Sequence, residues 1–335
     1  MIIRYFSCKL SHLAAIMART FEELKSADFV ALMERSDWEE VIDAEHQQIA
    51  GEVIEGTFKA SNANQSLNRY ANTVCFDHSR VVLPTERNRG DYINANYVDG
   101  FEYRKKFICG QAPTRYTCYD FYRMLWMEHV QIIVMLCQKK ENGKEKCYPY
   151  WSNEEQSSMR LGKFQITTIS VERFTHYVKT NLVLTDGTEA SQTLVHYNFI
   201  AWPDHDVPSN ISEFLSFVLE VRQCQKELQS KSLEIGHQRS QPAPIVVHCN
   251  AGLGRTPCFC VVDISISKLN QTQTVSIASI VSDIRRARFH CLFNPFQYKF
   301  CYKAVKVYIE SVFVKTDTRV TTIKKAVSFL RNLVK

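Results

Sequence analysis

The sequence predicts an α/β (α+β) protein in which helices flank a twisted mixed β-sheet. Two observations support this fold class: short runs rich in β-branched residues fill the middle of the chain, and segments with helical spacing interrupt them. With 335 residues, of which 45% are hydrophobic and 23% charged, the chain is long and apolar enough to bury a core. This composition excludes a disordered protein, a collagen and a coiled coil.

The predicted elements follow one another without an internal repeat or a low-complexity tract. Helical spacing predicts helices within residues 21–56, 117–128 and 212–228, and the polar stretch 229–244 is predicted to be a loop. The predicted strands are VVL at 81–83, YINANYV at 92–98, FIC at 107–109, IIVML at 132–136, QITTISV at 165–171 and TNLVL at 180–184.

Charge and cysteine content narrow the class of protein. The formal net charge of +6 suits an anionic substrate, but the dense basic stripe of a nucleic-acid binder is missing, so no nucleic-acid partner is expected. The 12 cysteines are scattered, without a C-x-x-C pair or a His/Cys cluster with zinc-ligand spacing. We therefore expect buried or free thiols in a reducing, cytoplasmic compartment and neither metal nor cofactor. No signal peptide or membrane span is recognised.

The segment PIVVHCNAGLGRT at 244–256 carries the predicted chemistry. A β-branched run precedes Cys249, a glycine-containing loop follows it, and Arg255 opens a predicted helix. The N–H groups of such a loop and the positive end of the helix bind an anion, and the same field stabilises a thiolate. Arg255 adds positive charge and can hold an oxyanion bidentately, while Thr256 can donate a hydrogen bond to the sulfur. Cys249 is therefore predicted to be a nucleophile.

The spacing Cys-x5-Arg arises easily by chance in a chain with 12 cysteines. Chance does not readily explain the whole context, in which a strand, His248, two glycines and a hydroxyl residue accompany the pair. Gly252 and Gly254 permit backbone angles and close approaches that side chains would block. The context therefore favours a catalytic cysteine.

A second motif, Trp202-Pro203-Asp204-His205, lies upstream of the cysteine segment. Displacement at phosphorus by a cysteine needs an acid for the leaving oxygen. An aspartate on a loop bounded by Pro203 and Pro208 can close over the site and serve as that acid. Without the cysteine segment, the motif would be interpreted as an ordinary Pro-Asp turn.

These residues resemble the classical protein tyrosine phosphatases: HCNAGLGRT is similar to the family signature, and WPDHDVP to its mobile acid loop. NRY at 68–70 with FDHSRVVL at 76–83 resembles the phosphotyrosine-recognition loop, and DYINANYVDG at 91–100 resembles the strands that follow it. GQAP and DFYRMLW within 110–126 resemble the next helix, and KCYPYW at 146–151 resembles the lysine loop. Arg285, Arg288, Gln297 and Tyr298 resemble the late arginines and the glutamine loop. The resemblance covers residues 40 to 310. Among members of the family, VDGFEYRKKFIC, ENGKEKC and FNPFQYKFCYKAV are most similar to the bracovirus phosphatases of parasitoid wasps.

The resemblance implies a single classical protein tyrosine phosphatase domain at residues 36–312. A partly helical extension at 1–35 precedes it, and a basic amphipathic helix at 313–335 follows it. The expected partners are phosphotyrosine-containing proteins, and the enzyme is expected to be a cytoplasmic monomer, in the host cell if it is viral. The C-terminal helix is expected to pack against the domain, and contact with an anionic membrane is the less favoured alternative.

The resemblance also implies roles for individual residues. Cys249 is the nucleophile, Arg255 the phosphate clamp, Thr256 the thiolate stabiliser, Asp204 the general acid and then base, and His248 the residue that tunes the cysteine. Tyr70 flanks the substrate ring and deepens the pocket, so that only the long phosphotyrosine reaches the sulfur. The implied substrate-binding residues are Tyr70, Asn72, Lys146, Asp204, Asn250, Ala251, Gly252, Leu253, Gly254 and Arg255. The alternatives are a core aromatic for Tyr70 and a solvated charge for Lys146.

Several positions depart from the family pattern. Asn250 replaces a serine, Pro257 replaces a glycine in the first turn of a helix where its missing donor is spare, and Asp206 replaces a glycine. Asn72 replaces an acidic residue that anchors the substrate backbone. Phe293 and Asn294 replace the glutamine and threonine of the water-orienting segment, although Gln297 remains. These changes leave a second interpretation, a phosphotyrosine-binding or substrate-sequestering pseudophosphatase with little turnover.

Overall fold

The computed structural model describes residues 21–203, 206–234 and 241–313. Within these ranges a mixed sheet of nine strands forms the centre of the fold, and two small two-stranded sheets lie outside it. The small sheets pair β1 (Leu24–Lys25) with β13 (Thr274–Val275), and β6 (Lys140–Glu141) with β7 (Lys144–Glu145). The central strands are β2 (Arg80–Val82), β3 (Tyr92–Val98), β4 (Phe107–Gly110), β5 (Ile132–Met135), β8 (Ser158–Leu161), β9 (Phe164–Arg173), β10 (Tyr177–Thr185), β11 (Ser191–Phe199) and β12 (Ile245–His248).

The central sheet has the order β2-β3-β4-β12-β5-β11-β10-β9-β8. Its four middle strands, β4, β12, β5 and β11, run parallel, and the outer pairs are antiparallel. Helices cover the sheet, and in chain order they are α1 (Ser26–Glu34), α2 (Trp38–Ala50), α3 (Lys59–Ala63), α4 (Cys118–Met127), α5 (Ile211–Glu234), α6 (Arg255–Thr272), α7 (Ile277–Ala287) and α8 (Pro295–Val312).

Strand β12 determines where the site lies. All of its residues are buried because parallel neighbours flank both of its edges. Its sequence, IVVH, is accordingly apolar and β-branched until His248. The chain then passes directly into a loop and into α6, so Cys249 lies at the carboxyl edge of the parallel strands. This edge is where open α/β sheets bind ligands.

The sequence predicted the fold class and most elements correctly, and the errors have physical causes. Strands β8 and β11 were missed because their runs, SMRL and SQTLVHYNF, are rich in polar residues. The segment predicted as helical within residues 21–56 forms α1 and α2, but the second helix ends at Ala50 and residues 24–25 pair as a strand. The predicted loop at 229–244 is wrong at its start, since α5 continues to Glu234 through good helix formers such as Gln, Lys and Glu.

Two predictions concern solvent exposure and membranes. The eleven cysteines within the described residues are all free and buried, as expected from their apolar neighbours. Among the described helices, none is both long enough and apolar enough to cross a bilayer. The predicted C-terminal helix, apart from Phe313, and residues 1–20 of the N-terminal extension lie outside the described residues.

A buried ionic cluster fixes α6 to the sheet. The carboxylate of Asp263 on α6 lies 2.5 Å from Nζ of Lys106, which precedes β4, and 2.8 Å from a guanidinium nitrogen of Arg222 on α5. Burial raises the pKa of Asp263, but the charges of Lys106 and Arg222 outweigh it and hold the pKa below its ordinary 3.8. The ionised carboxylate therefore stabilises the fold at neutral pH, and this contribution is lost as the pH falls below that value.

We expect Asp263→Asn to lower the free energy of unfolding by about 3–5 kcal/mol, because two buried cations lose their shared partner. Denaturant unfolding measures the change. Asp91→Asn is the matched control, because Asp91 pairs with Arg80 at 2.7 Å but is partly exposed, and there we expect less than about 1 kcal/mol. Equal effects of the two substitutions would contradict the assignment.

Candidate active site

The loop after β12 needs a glycine at one position. Gly252 has a φ of +73°, and a Cβ placed there would lie 2.1 Å from the carbonyl oxygen of Gly110 at the end of β4. A Cβ on Gly254 would lie 2.6 Å from Oε1 of Gln297. The close approaches predicted for the two glycines are therefore present.

Arg288, which is fully buried, holds the outer side of the loop. Its guanidinium donates to the carbonyl oxygens of Gly252 at 2.9 Å and Ala251 at 3.0 Å. It also donates to the side-chain oxygens of Asn94 and Asn96, both at 2.9 Å. A trans peptide directs its N–H opposite to its C=O, so carbonyls drawn outward turn the following N–H groups toward the loop interior. This arrangement favours binding of an anion.

Cys249 is the loop residue whose side chain can react. It is 5% exposed, and the N–H of Gly252 donates to Sγ over 3.2 Å. Burial raises the pKa of the thiol, but the charge of Arg255, the nearby hydroxyl and backbone N–H of Thr256, and the Gly252 N–H outweigh it and lower the pKa below the ordinary 9.0. The geometry thus favours the thiolate that a nucleophile requires.

Arg255 has a partner that the sequence did not reveal. Its guanidinium contacts both carboxylate oxygens of Glu141 at 2.5 and 3.0 Å, and it donates to the carbonyl of Leu136 at 3.0 Å. Burial lowers the pKa of Arg255, and the hydrogen bond and charge of Glu141 together with the charge of Cys249 raise it by more. Glu141 therefore orients the clamp. Glu141 and Glu145 both flank the Asn-Gly turn in ENGKEKC, and nothing in the sequence distinguishes them.

Lys146 belongs to the same cluster. It is 7% exposed, and its Nζ lies 4.0 Å from the Glu141 carboxylate. The alternative of a solvated surface charge is therefore wrong. The structure places this ammonium beside the residue that orients Arg255.

His248 lies on the opposite side of Cys249 and is connected to two residues that the sequence did not single out. Its Nδ1 is 3.1 Å from the carbonyl oxygen of Cys249, and its Nε2 is 2.8 Å from the hydroxyl of Tyr150. The same hydroxyl lies 2.7 Å from Nε2 of His196. Burial lowers the pKa of His248 to about 4, with the Cys249 carbonyl opposing and Arg69 assisting the shift. His248 is therefore neutral at physiological pH.

Tyr70 contacts the loop that follows β12. Tyr70 is 40% exposed, and its hydroxyl accepts a hydrogen bond from the amide of Asn250 at 2.7 Å. It is thus not a core aromatic. Asn250 in place of serine supplies this contact to Tyr70, while its buried Oδ1 has no hydrogen-bond partner among the described residues. Asn72 is exposed, and its role in substrate binding stays a prediction.

The segment before α8 places one amide at the loop. Gln297 is 7% exposed and lies against Gly254. The amide of Asn294 is used elsewhere, because its oxygen caps α8 by accepting from the N–H of Phe296 at 2.9 Å. Phe293 is 73% exposed. Gln297 is therefore the nearer replacement for the missing glutamine.

The acid loop is anchored by Trp202. This residue is buried against Phe214 and Phe300, with ring centroids at 5.2 and 5.5 Å, and its indole N–H donates to the carbonyl of Asp206 at 2.7 Å. Asp204 lies between these anchored positions but outside the described residues, so its role as the acid stays a prediction. Asp206 is exposed, and its carboxylate accepts from the N–H of Val207 at 2.8 Å.

Helix α6 tolerates the proline in its first turn. It runs from Arg255 to Thr272 without interruption, and Pro257 is its third residue. The N–H that proline lacks has no acceptor within the helix at this position. The expectation of tolerance is therefore confirmed.

The fold and the site together define a class of protein: an α/β protein with a buried cysteine, whose thiol pKa is lowered, in a loop at the carboxyl edge of a parallel sheet. Comparison with known families supports this class, since the family model described as protein-tyrosine phosphatase matches residues 64–306. The chain belongs to the protein-tyrosine phosphatase family.

Individual relatives agree with the assignment and with the resemblance to bracovirus enzymes. The chain is 47% identical over 295 residues to tyrosine phosphatase H2 of Microplitis demolitor bracovirus (isolate Webb), with 86% of this chain and 90% of that protein covered. It is 35% identical to human tyrosine-protein phosphatase non-receptor type 9, over 89% of this chain and 50% of that protein. The crystal structure of the catalytic domain of human protein tyrosine phosphatase non-receptor type 18 superposes with a TM-score of 0.73 at 28% identity, covering 84% and 99% of the two chains.

We expect Gly252→Ala to raise the thiol pKa of Cys249, because the added Cβ must move the loop and withdraw the N–H that contacts Sγ. The pH dependence of Cys249 alkylation by iodoacetate measures this pKa. Gly90→Ala is the control, since a Cβ on Gly90 meets no atom within 4 Å. An unchanged alkylation profile in Gly252→Ala would refute the role given to this contact.

Proposed function

We propose that the protein hydrolyses phosphotyrosine in other proteins through a phosphocysteine intermediate. The observation that carries this proposal is the buried Cys249 thiol, whose pKa is lowered inside a loop closed by Arg255. Such a thiolate attacks phosphorus while the loop N–H groups and the guanidinium stabilise the charge on the equatorial oxygens.

In the first step, Sγ of Cys249 forms a bond to phosphorus, and the bond from phosphorus to the tyrosine oxygen breaks. Asp204 gives its proton to the leaving phenolate. In the second step, water attacks phosphorus, Asp204 takes a proton from that water, and the Cys249 thiolate leaves as inorganic phosphate is released. The bonds and protons balance without a cofactor.

Tyr70 supports selectivity for phosphotyrosine. Its hydroxyl is held by Asn250 beside the nucleophile loop while much of its ring remains exposed, so it forms a wall at the entrance. The Tyr70 ring therefore sets Cys249 below the entrance of the site. A phosphotyrosine side chain is long enough to reach from the entrance to Cys249, and the shorter side chain of phosphoserine is not.

The biological setting follows from the similarity to a bracovirus tyrosine phosphatase. We infer that the protein is a viral factor that removes phosphate from signalling proteins in the cytoplasm of the host cell. The eleven buried free thiols in the described residues suit a reducing compartment.

We expect Cys249→Ser to abolish hydrolysis of a phosphotyrosine peptide while leaving its binding, because the hydroxyl forms no low-pKa anion and the loop N–H groups and Arg255 remain. Phosphate release and fluorescence anisotropy of the peptide measure the two properties. Cys224→Ser, at another buried cysteine, should retain the parent activity. Full activity in Cys249→Ser would exclude the covalent mechanism.

The position of Phe293 predicts which step is slow. Its ring offers neither a donor nor an acceptor to the water that attacks the phosphocysteine. The amide of Asn294 is engaged in the cap of α8, which leaves Gln297 as the amide near the loop. Phosphorylation of Cys249 needs none of these groups. We therefore infer that hydrolysis of the intermediate limits turnover.

We expect rapid-quench kinetics on an aryl phosphate to show a burst of phenol followed by a slower steady rate. Phe293→Gln should raise the steady rate about tenfold and shrink the burst, because a positioned amide orders the water. Phe296→Gln is the matched control: Phe296 is 65% exposed and three residues away, and the kinetics should remain those of the parent. A parent without a burst, and no gain in Phe293→Gln, would show that the first step is limiting.

A further inference from the structure

A buried chain of three side chains leads away from the nucleophile. It runs from the Cys249 carbonyl through His248 and Tyr150 to His196 on β11, and all three side chains are 0% exposed. Phe121 packs against His248 at 5.8 Å between ring centroids, and Trp151 packs against His196 at 4.0 Å. The hydrogen bonds of this chain are thus made in an apolar, water-excluding environment.

The chemistry of the contacts fixes the position of each proton. A carbonyl oxygen can only accept, so Nδ1 of His248 carries the hydrogen and donates to the Cys249 carbonyl. Neutral imidazole has one N–H, so Nε2 of His248 must accept, and the Tyr150 hydroxyl is its donor. The oxygen of Tyr150 is then left to accept from Nε2–H of His196.

This assignment agrees with the remaining nitrogen of His196. Its Nδ1 is buried and has no hydrogen-bond partner among the described residues. In this tautomer, Nδ1 of His196 is an acceptor without a donor. In the other tautomer, Nδ1–H would be a buried donor without an acceptor and the hydrogen bond to Tyr150 would be lost, which costs more free energy. Burial, the neighbouring His248 imidazole and the charge of Lys139 lower the pKa of His196 well below its ordinary value, so the ring is neutral. His196 therefore acts as a donor to Tyr150.

We propose that His196 is a positioning residue for the nucleophile loop. By donating to Tyr150, it commits the single hydroxyl proton of that residue to His248, and His248 in turn holds the Cys249 carbonyl. Without that donor, as in His196→Leu, the Tyr150 oxygen accepts no hydrogen bond and its hydroxyl binds His248 more weakly, because a hydrogen bond that a hydroxyl accepts strengthens the one that it donates. The proposal rests on the proposed function, because the loop that it positions is the catalytic one.

The consequence for the loop follows from peptide geometry. The Cys249 carbonyl and the Asn250 N–H belong to one trans peptide, in which the two groups point in opposite directions. A carbonyl held toward His248 turns the Asn250 N–H away from it and toward the loop interior, where it adds to the field that stabilises the thiolate. His196 thus acts on Cys249 through two intermediate side chains.

The test compares His196→Leu, which removes the donor, with His196→Gln, which restores an N–H donor. We expect the leucine variant to raise the thiol pKa of Cys249 by about one unit and to slow phosphoenzyme formation about tenfold at neutral pH, and the glutamine variant to recover most of both. Alkylation by iodoacetate across pH, followed on the peptide that contains Cys249, gives the pKa. Rapid-quench kinetics on an aryl phosphate gives the rate.

Two controls separate positioning from folding. Thr180→Val alters a buried polar residue paired with His196 across β10 and β11, and it should leave the thiol pKa unchanged. Tyr150→Phe breaks the chain one step closer to Cys249 and should raise the thiol pKa at least as far as His196→Leu. His196→Met also lacks the donor and carries the test if the leucine variant does not fold. Tyr150→Phe combined with His196→Leu should produce no shift beyond that of Tyr150→Phe alone.

An unchanged Cys249 pKa in folded His196→Leu, or additive shifts in the double variant, would overturn the proposal. A shift that His196→Gln fails to recover would also overturn it, because a purely steric role would then suffice. The alkylation readout requires no turnover. Failure of the proposed phosphatase activity would therefore appear as normal alkylation behaviour without phosphate release, which is distinguishable from failure of the positioning role.

Discussion

The arrangement of the site depends on the outward pull that Arg288 exerts on the nucleophile loop. A cationic side chain buried beside the loop takes two backbone carbonyls, while two asparagines from β3 fix its other donors. Because the carbonyls are occupied outside, the loop N–H groups remain available inside. The Gly252 N–H that contacts Sγ of Cys249, and with it the place for an anion, depends on this peptide orientation.

The molecule places many polar groups in an otherwise apolar interior. The Asp263 cluster, the Arg255 and Glu141 pair, and the chain from His248 to His196 each bury groups that water would solvate well. Their desolvation is offset only when every donor finds an acceptor, so these clusters contribute specificity more than net stability. The parallel strands β4, β5 and β12, all of whose residues are buried, supply the apolar burial that offsets this cost.

The sequence predicted the fold class, most of the strands and the nucleophile loop because these features are local. The run IVVH before Cys249 and the glycines after it lie within a few residues of one another, and their chemistry is legible without tertiary contacts. Glu141, Tyr150 and His196 were missed because they reach the loop from three separate elements. Strand β11 was missed because its polar residues, among them His196, hide its strand pattern. Lys146 and Tyr70 were found only through the resemblance. The burial of Lys146 excludes a solvated surface charge, and the exposure of Tyr70 excludes a core aromatic.

The cysteine thiols differ in pKa and therefore in their reactivity toward electrophiles. Burial raises the pKa of Cys75 to about 11 and those of Cys118 and Cys291 to about 12, whereas the pKa of Cys249 is lowered. Soft electrophiles react with thiolates, so the native fold itself discriminates among chemically identical side chains by orders of magnitude in anion population. Among these four cysteines, a covalent label on Cys249 therefore reports on the integrity of its loop, and labelling of the other three marks the opening of the fold.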